Sequence, residues 1–167
     1  MLGVLALALP VAGVAGPNAG EGTLSVEDGH GKVTLQARGG VIGRLERGSV
    51  VIHDLSPEDA YEPYVFGDDQ PVRLVGESGI RYGGVGLRFR LAAGRYKIVI
   101  EGRGIDLSVV ARGSGSIIAG QTDDPGVYSL DGTDCRNERA SCKALPEIAK
   151  RFQLDGGEKN LVRVAGD

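Results

Sequence analysis

Apolar and polar residues alternate along most of this chain, and glycine repeatedly cuts the alternation. In residues 23–27, Leu24 and Val26 share one side of a strand. After the turn signal Asp28-Gly29-His30-Gly31, Val33, Leu35 and Ala37 share one side of the next, so 23–27 and 32–38 predict a β-hairpin. Gly39-Gly40 and Arg47-Gly48 bound another short strand at 41–46, and the β-branched run 49–55 predicts a more buried one. Further on, Leu87, Phe89 and Leu91 point one way while Arg88 and Arg90 point the other; Tyr96, Ile98 and Ile100 share a face, as do Ile105, Leu107, Val109 and Ala111.

The second set of strands repeats the first. Residues 97–114 (KIVIEGRGIDLSVVARGS) align without a gap on residues 32–49 (KVTLQARGGVIGRLERGS), 65 positions earlier. Lys32 falls on Lys97, Arg38-Gly39 on Arg103-Gly104, and Arg47-Gly48-Ser49 on Arg112-Gly113-Ser114; apolar character is kept at Ile42/Leu107 and Leu45/Val110. Each copy, about 23–54 and 88–119, predicts a meander of roughly four strands of 5–7 residues. A period of 65 is too long for a solenoid rung, and two copies are too few for a stacked array. The expected fold is all-β: an internally duplicated antiparallel sandwich or barrel of short strands whose halves bury each other's apolar face. A β-helix is the weaker alternative, on the strength of Gly113-Ser114-Gly115-Ser116.

The rest of the chain is less regular. Residues 56–86 form an acidic connection punctuated by Pro57, Pro63 and Pro71, with short strands expected at 72–75 and 80–82. Long connections on a rigid β scaffold are where binding sites tend to sit. In the tail, 121–167, residues 127–130 and 161–164 read as strands, and 146–152, opened by Pro146, as the one short helix. The β domain so defined runs from 23 to 167.

Residues 2–15 (LGVLALALPVAGVA) are uncharged and apolar, shorter than the roughly 20 residues that span a bilayer. They fit the apolar region of a secretory signal peptide, 1–15, cleaved after Ala15 and followed by a flexible leader at 16–22. The expected location is therefore secreted or in the cell envelope, with no membrane span. In that setting Cys135 and Cys142, the only cysteines, predict a disulfide.

Composition narrows the chemistry further. The 28 glycines among 167 residues exceed twice the usual share of about 7%, as a turn-rich domain requires. A net charge of -3 argues against a nucleic-acid partner, which calls for a basic excess. No GxSxG elbow surrounds a serine, Leu107 stands where a dinucleotide fingerprint needs its third glycine, and His30 and His53 lack zinc-like spacing with the cysteines. Acidic pairs such as Asp68-Asp69 and Asp123-Asp124 do not follow the EF-hand spacing. No catalytic residue, metal ligand or cofactor is assigned from the sequence.

The repeated arginines are the binding candidates. Arg38, Arg47, Arg103 and Arg112 recur at equivalent positions, each before a glycine, and would suit an anionic envelope polymer; the competing reading is charged strand ends that discourage edge-to-edge pairing. The stretches GTLSVEDGHG, the RG…RGS units and GIDLSVVARGSGSIIAG together resemble uncharacterised exported β-rich proteins of bacteria, over about 22–120. That resemblance implies export and a β fold and carries no activity. The expected function is a non-catalytic exported binding or structural module for an envelope polymer or a partner protein. The alternative is a small secreted hydrolase or lyase with a dispersed site near 53–69, drawing on His53, Asp54, Asp59 or Asp69.

Overall fold

In the computed structural model, residues 20–68, 72–75 and 79–155 are described; the signal-peptide expectation, Asp69 and the strand expected at 161–164 lie outside them. The strands are β1 (Gly22–Asp54), β2 (Tyr64–Asp68), β3 (Val72–Val75), β4 (Gly79–Leu91), β5 (Arg95–Ala119), β6 (Val127–Ser129), β7 (Lys143–Ala144) and β8 (Lys150–Leu154). All their pairings are antiparallel, in one sheet whose main path runs β2-β4-β1-β5-β8 without closing into a barrel. The barrel and the β-helix, with its parallel coils, are thereby set aside.

The two strands that carry the aligned stretches are not short. β1 runs for 33 residues and β5 for 25, because the glycines expected to end strands bend them instead. Nor does 23–27 fold back on 32–38 as a hairpin. Residues 22–26 pair with 107–111, and 32–38 lie between two stretches of β5, 95–101 on one side and 112–118 on the other. Residues 107–111 in turn separate 22–26 from 39–43, and 41–45 pair outward with 87–91 of β4. Each copy of the repeat thus takes its neighbours mainly from the other copy. The meander expectation fails because alternation fixes which face a residue takes but not which strand lies beside it.

One bend shows why glycine is needed. Gly48 pairs with Gly102, and a Cβ on Gly48 would stand 2.2 Å from the Glu101 carbonyl oxygen, one on Gly102 2.3 Å from that of Arg47. The backbones cross too closely here for any side chain.

The core is continuous. Leu24, Val33, Leu35, Leu45, Leu87, Leu91, Ile98, Ile100 and Leu107 are buried together, with Phe152 and Leu154 of β8 closing one side. The helix expected over 146–152 is absent: Phe152 and Leu154 face inward while Arg151 and Gln153 face out, a period of two, and the only helical turn among the described residues of the tail is 3-10, Arg139–Ser141. Buried Tyr96 fastens the connection to this core, its hydroxyl donating to the Tyr61 carbonyl at 2.5 Å; burial first, then the charges of Asp54, Asp59 and Glu62, push its phenol up to about 12.

Candidate functional site

The gapless repeat hides a difference between its copies. Ile42 is 56% exposed while its aligned partner Leu107 is 1% exposed, and Leu45 is 1% exposed while Val110 is 38%. Inward positions are odd from Val33 to Leu45 and even at Val50 and Ile52; in β5 they are even at Ile98 and Ile100 and odd from Ile105 to Ala111. Both strands change beat at the bend where Gly48 meets Gly102. The outward face of 41–46 therefore carries Ile42, Arg44 and Glu46, and that of the neighbouring β5 stretch carries Asp106, Ser108 and Val110.

Two rows of side chains cross this outward face. Tyr64, Arg90, Ile42 and Ser108 stand in register across β2, β4, β1 and β5, and the next row is Phe66, Arg88, Arg44 and Asp106. The rows are about 7 Å apart, two residues along each strand. All of these residues but Ser108 line a cleft of about 790 Å³, to which the connection contributes Glu62, Tyr64 and Phe66. Apolar surface is presented to solvent here by Ile42, Tyr64 and Phe66, all exposed.

The charges divide the cleft into two ends. At one end Asp106, 5% exposed, accepts the Asp28 backbone N–H at 2.9 Å and the Arg44 Nε–H. Glu27 lies beside it; burial first, then the negative charge of Asp106, raise its carboxyl above the ordinary range, opposed by Arg136. At the other end, Arg88 lies over the Phe66 ring, 5.9 Å from its centroid, and neither Arg88 nor Arg90 has a carboxylate partner among the described residues. A guanidinium stacked on an aromatic face keeps its in-plane N–H groups for an anion.

The arginines singled out by the repeat fall elsewhere. Arg38 pairs in register with Arg112 and Arg95, and Arg47 with Arg103, which also forms an ion pair with Glu46 at 3.5 Å. Arg112 donates through Nε to the Gly20 carbonyl at 2.9 Å. The four make two pairs at two bends, nine residues apart along β1, rather than one patch. Cys135 and Cys142 form the expected disulfide.

The acids of the alternative site are occupied with local turns. Asp54 accepts the Ser56 N–H at 2.9 Å, and Asp59 accepts the Ser56 hydroxyl at 2.6 Å and the Tyr61 N–H at 3.1 Å. His53 is half-buried on β1 beside Lys97 and Gly79 in register, and His30 leaves a buried Nδ1 without a hydrogen-bond partner among the described residues, in a separate cleft of about 430 Å³. Among the described residues no three His, Cys, Asp or Glu side chains gather where they could hold a metal, and no helix is long and apolar enough to cross a membrane.

The alternation of LRFRL puts Arg88 and Arg90 outward but does not single them out, because nothing in it shows that β2 brings Tyr64 and Phe66 beside them. The alternation of Tyr64, Val65 and Phe66, with two aromatics on one side, was the available signal. The chain matches no protein-family model, no curated protein and no solved structure.

Proposed function

We propose that this chain is a non-catalytic exported binding module that takes an anionic envelope polymer along the cleft between β2, β4 and β1. The observation that carries this reading is the juxtaposition of exposed Tyr64, Phe66 and Ile42 with Arg88 and Arg90, two arginines without a carboxylate partner among the described residues. Aromatic faces stack on flat or ring-shaped units, and arginine forks bind carboxylate or phosphate with two N–H groups at once. A polymer suits an open cleft across several strands because successive units can meet successive rows.

The scaffold in this reading is one β unit used twice and packed as a sandwich. Its support is the register. Thr34 pairs with Val99, its own counterpart, and Ile42 and Gly43 pair with Ser108 and Leu107, so the aligned copies exchange roles about two points. Residues 22–26 flank 107–111 much as 87–91 flank 41–45. The segments sort into two groups, 22–26 with 107–111, 39–45 and 87–91, and 112–119 with 31–38, 95–101 and 47–54, as two facing layers would.

The test is sedimentation of the chain with purified cell-wall material across a salt series. Arg88→Gln with Arg90→Gln is expected to abolish a salt-sensitive association that Arg38→Gln, Arg47→Gln, Arg103→Gln and Arg112→Gln together only weaken. The reverse order would move the site to the bends, and a wild-type chain that stays in solution at every salt would end the polymer reading.

A further inference from the structure

We propose that the disulfide loop contributes Arg136 to the lining of this cleft, and that Cys135–Cys142 holds it there as a further cation for the ligand. This rests on the anionic-polymer reading for the ligand, while the positioning itself is independent of it.

Arg136 lines the same cleft as Arg88 and Arg90 but comes from the tail, nearly 50 residues along the chain. Between β6 and β7 the tail has no strand to fix it, only a 3-10 turn. What fixes it is the residue before Arg136. Cys135 is fully buried, and its backbone N–H donates to the Ser25 hydroxyl of β1 at 3.0 Å. Asp134 folds the chain tightly after that anchor, its carboxylate accepting the Arg136 N–H at 3.1 Å and the Asn137 side-chain amide at 2.8 Å. The disulfide then joins the anchored Cys135 to Cys142, the residue from which the chain enters β7. Both ends of the loop are thus tied to the sheet, and Arg136 has little choice of where to project.

It projects toward the acidic end of the cleft. Its Nε lies 4.0 Å from Glu27 Oε2, the outer limit of an ion pair, and its side chain is mostly exposed. A contact that loose orients the guanidinium without using up its terminal N–H groups. Glu27 and Asp106 are already faced by Arg44, so Arg136 adds positive charge to an end of the cleft that would otherwise repel an anion.

Three variants separate this role from general bracing: Arg136→Gln, Cys135→Ala with Cys142→Ala, and all three changes together. With wall material, Arg136→Gln is expected to weaken binding about two- to fivefold, the range of an exposed charge contact. Opening the disulfide should weaken it equally, and the triple variant no further. Without any ligand, carbon-detected NMR titration of the Glu27 carboxyl reads the same positioning. Arg136 holds that carboxyl down, so Arg136→Gln should raise its titration point; the disulfide variant should raise it as much, and the triple variant no more. An unchanged Glu27 titration in the disulfide variant overturns the positioning. Shifted titration with unchanged binding in Arg136→Gln removes Arg136 from the ligand contacts. If wild type binds no wall material while the titrations behave as expected, the polymer reading fails and the bond's hold on Arg136 stands.

Discussion

Residues 41–46 and 106–111 hold the same place in the two copies and lie against each other across the sheet, yet they turn opposite sides to the core. Ile42 faces solvent where Leu107 is buried, and Leu45 is buried where Val110 faces solvent. In a strand of period two, a single step in the alternation turns every following side chain to the other face. Between these two stretches that step falls at the shared bend of Gly48 and Gly102: it comes after 41–46 in β1 and before 106–111 in β5. An alignment without gaps cannot register it. The consequence is functional, because Arg44 comes to oppose Asp106, and Ile42 to sit in the row of Tyr64 and Arg90. Two stretches that align in sequence thus present different outer faces.

The sharpest way to break this comparison is to truncate the aligned pairs. Leu107→Ala and Leu45→Ala each remove a fully buried side chain and should cost about 2–5 kcal/mol, read from urea unfolding. Ile42→Ala and Val110→Ala should stay within about 0.5 kcal/mol. Equal losses within each pair would mean that the copies bury the same face after all.

Next in size is the bend itself. A methyl group at Gly48 meets the Glu101 carbonyl, which belongs to the backbone and cannot rotate away, so Gly48→Ala should destabilise by about 3 kcal/mol. Gly83→Ala, whose new methyl would meet its nearest atoms at 3.8 Å, is the control and should cost little. A mild effect at Gly48 would show that the change of beat does not need so close a crossing.

Much of this was legible in the chain, and the limits have physical causes. The inward sets Leu24/Val26, Val33/Leu35/Ala37, Leu87/Phe89/Leu91 and Ile105/Leu107/Val109/Ala111 follow from local alternation, and all are buried. Pairing did not follow, because a strand's neighbours are chosen by contacts many residues away: 32–38 has β5 on both sides and 23–27 on neither. β8 is hard to tell from a helix in the sequence because only Phe152 and Leu154 mark its alternation and Pro146 imitates a helix start. For the site, the alternation is enough to turn Arg88 and Arg90 outward, but the equivalence of Arg38, Arg47, Arg103 and Arg112 points to the bends instead. The cleft lies where the two copies differ.

A smaller effect tests the pairing that this difference created. Asp106→Asn keeps the shape but takes away the charge facing Arg44 and weakens the acceptor for the Asp28 N–H, for a cost of about 1–2 kcal/mol, since Arg44 is largely exposed. The same change releases Arg44 into the cleft, so association with wall material at low salt should strengthen. Lower stability together with unchanged association would place Arg44 outside the ligand's reach.

The smallest expected effect concerns Glu27, and its sign follows from the direction of its shift. Its folded carboxyl titrates above the unfolded value, chiefly through burial and then through Asp106. The folded state therefore holds this proton more tightly than the unfolded chain does. Its contribution to stability is fully present below about pH 4, the ordinary range for a glutamate, and is lost as pH rises through the folded value. Glu27→Gln cannot lose a proton. Relative to the variant, wild type should fall behind as pH climbs from 4 to 7, by less than about 1 kcal/mol, because Arg136 and Arg44 offset part of the ionised charge. Urea unfolding of both proteins at several pH values gives the difference directly. A difference that stays flat would mean that Arg136 cancels the effect of Asp106 and that the acidic end of the cleft is already neutral toward an anion; one that widens shows a residual negative field there, which a polyanion must overcome at Arg88 and Arg90.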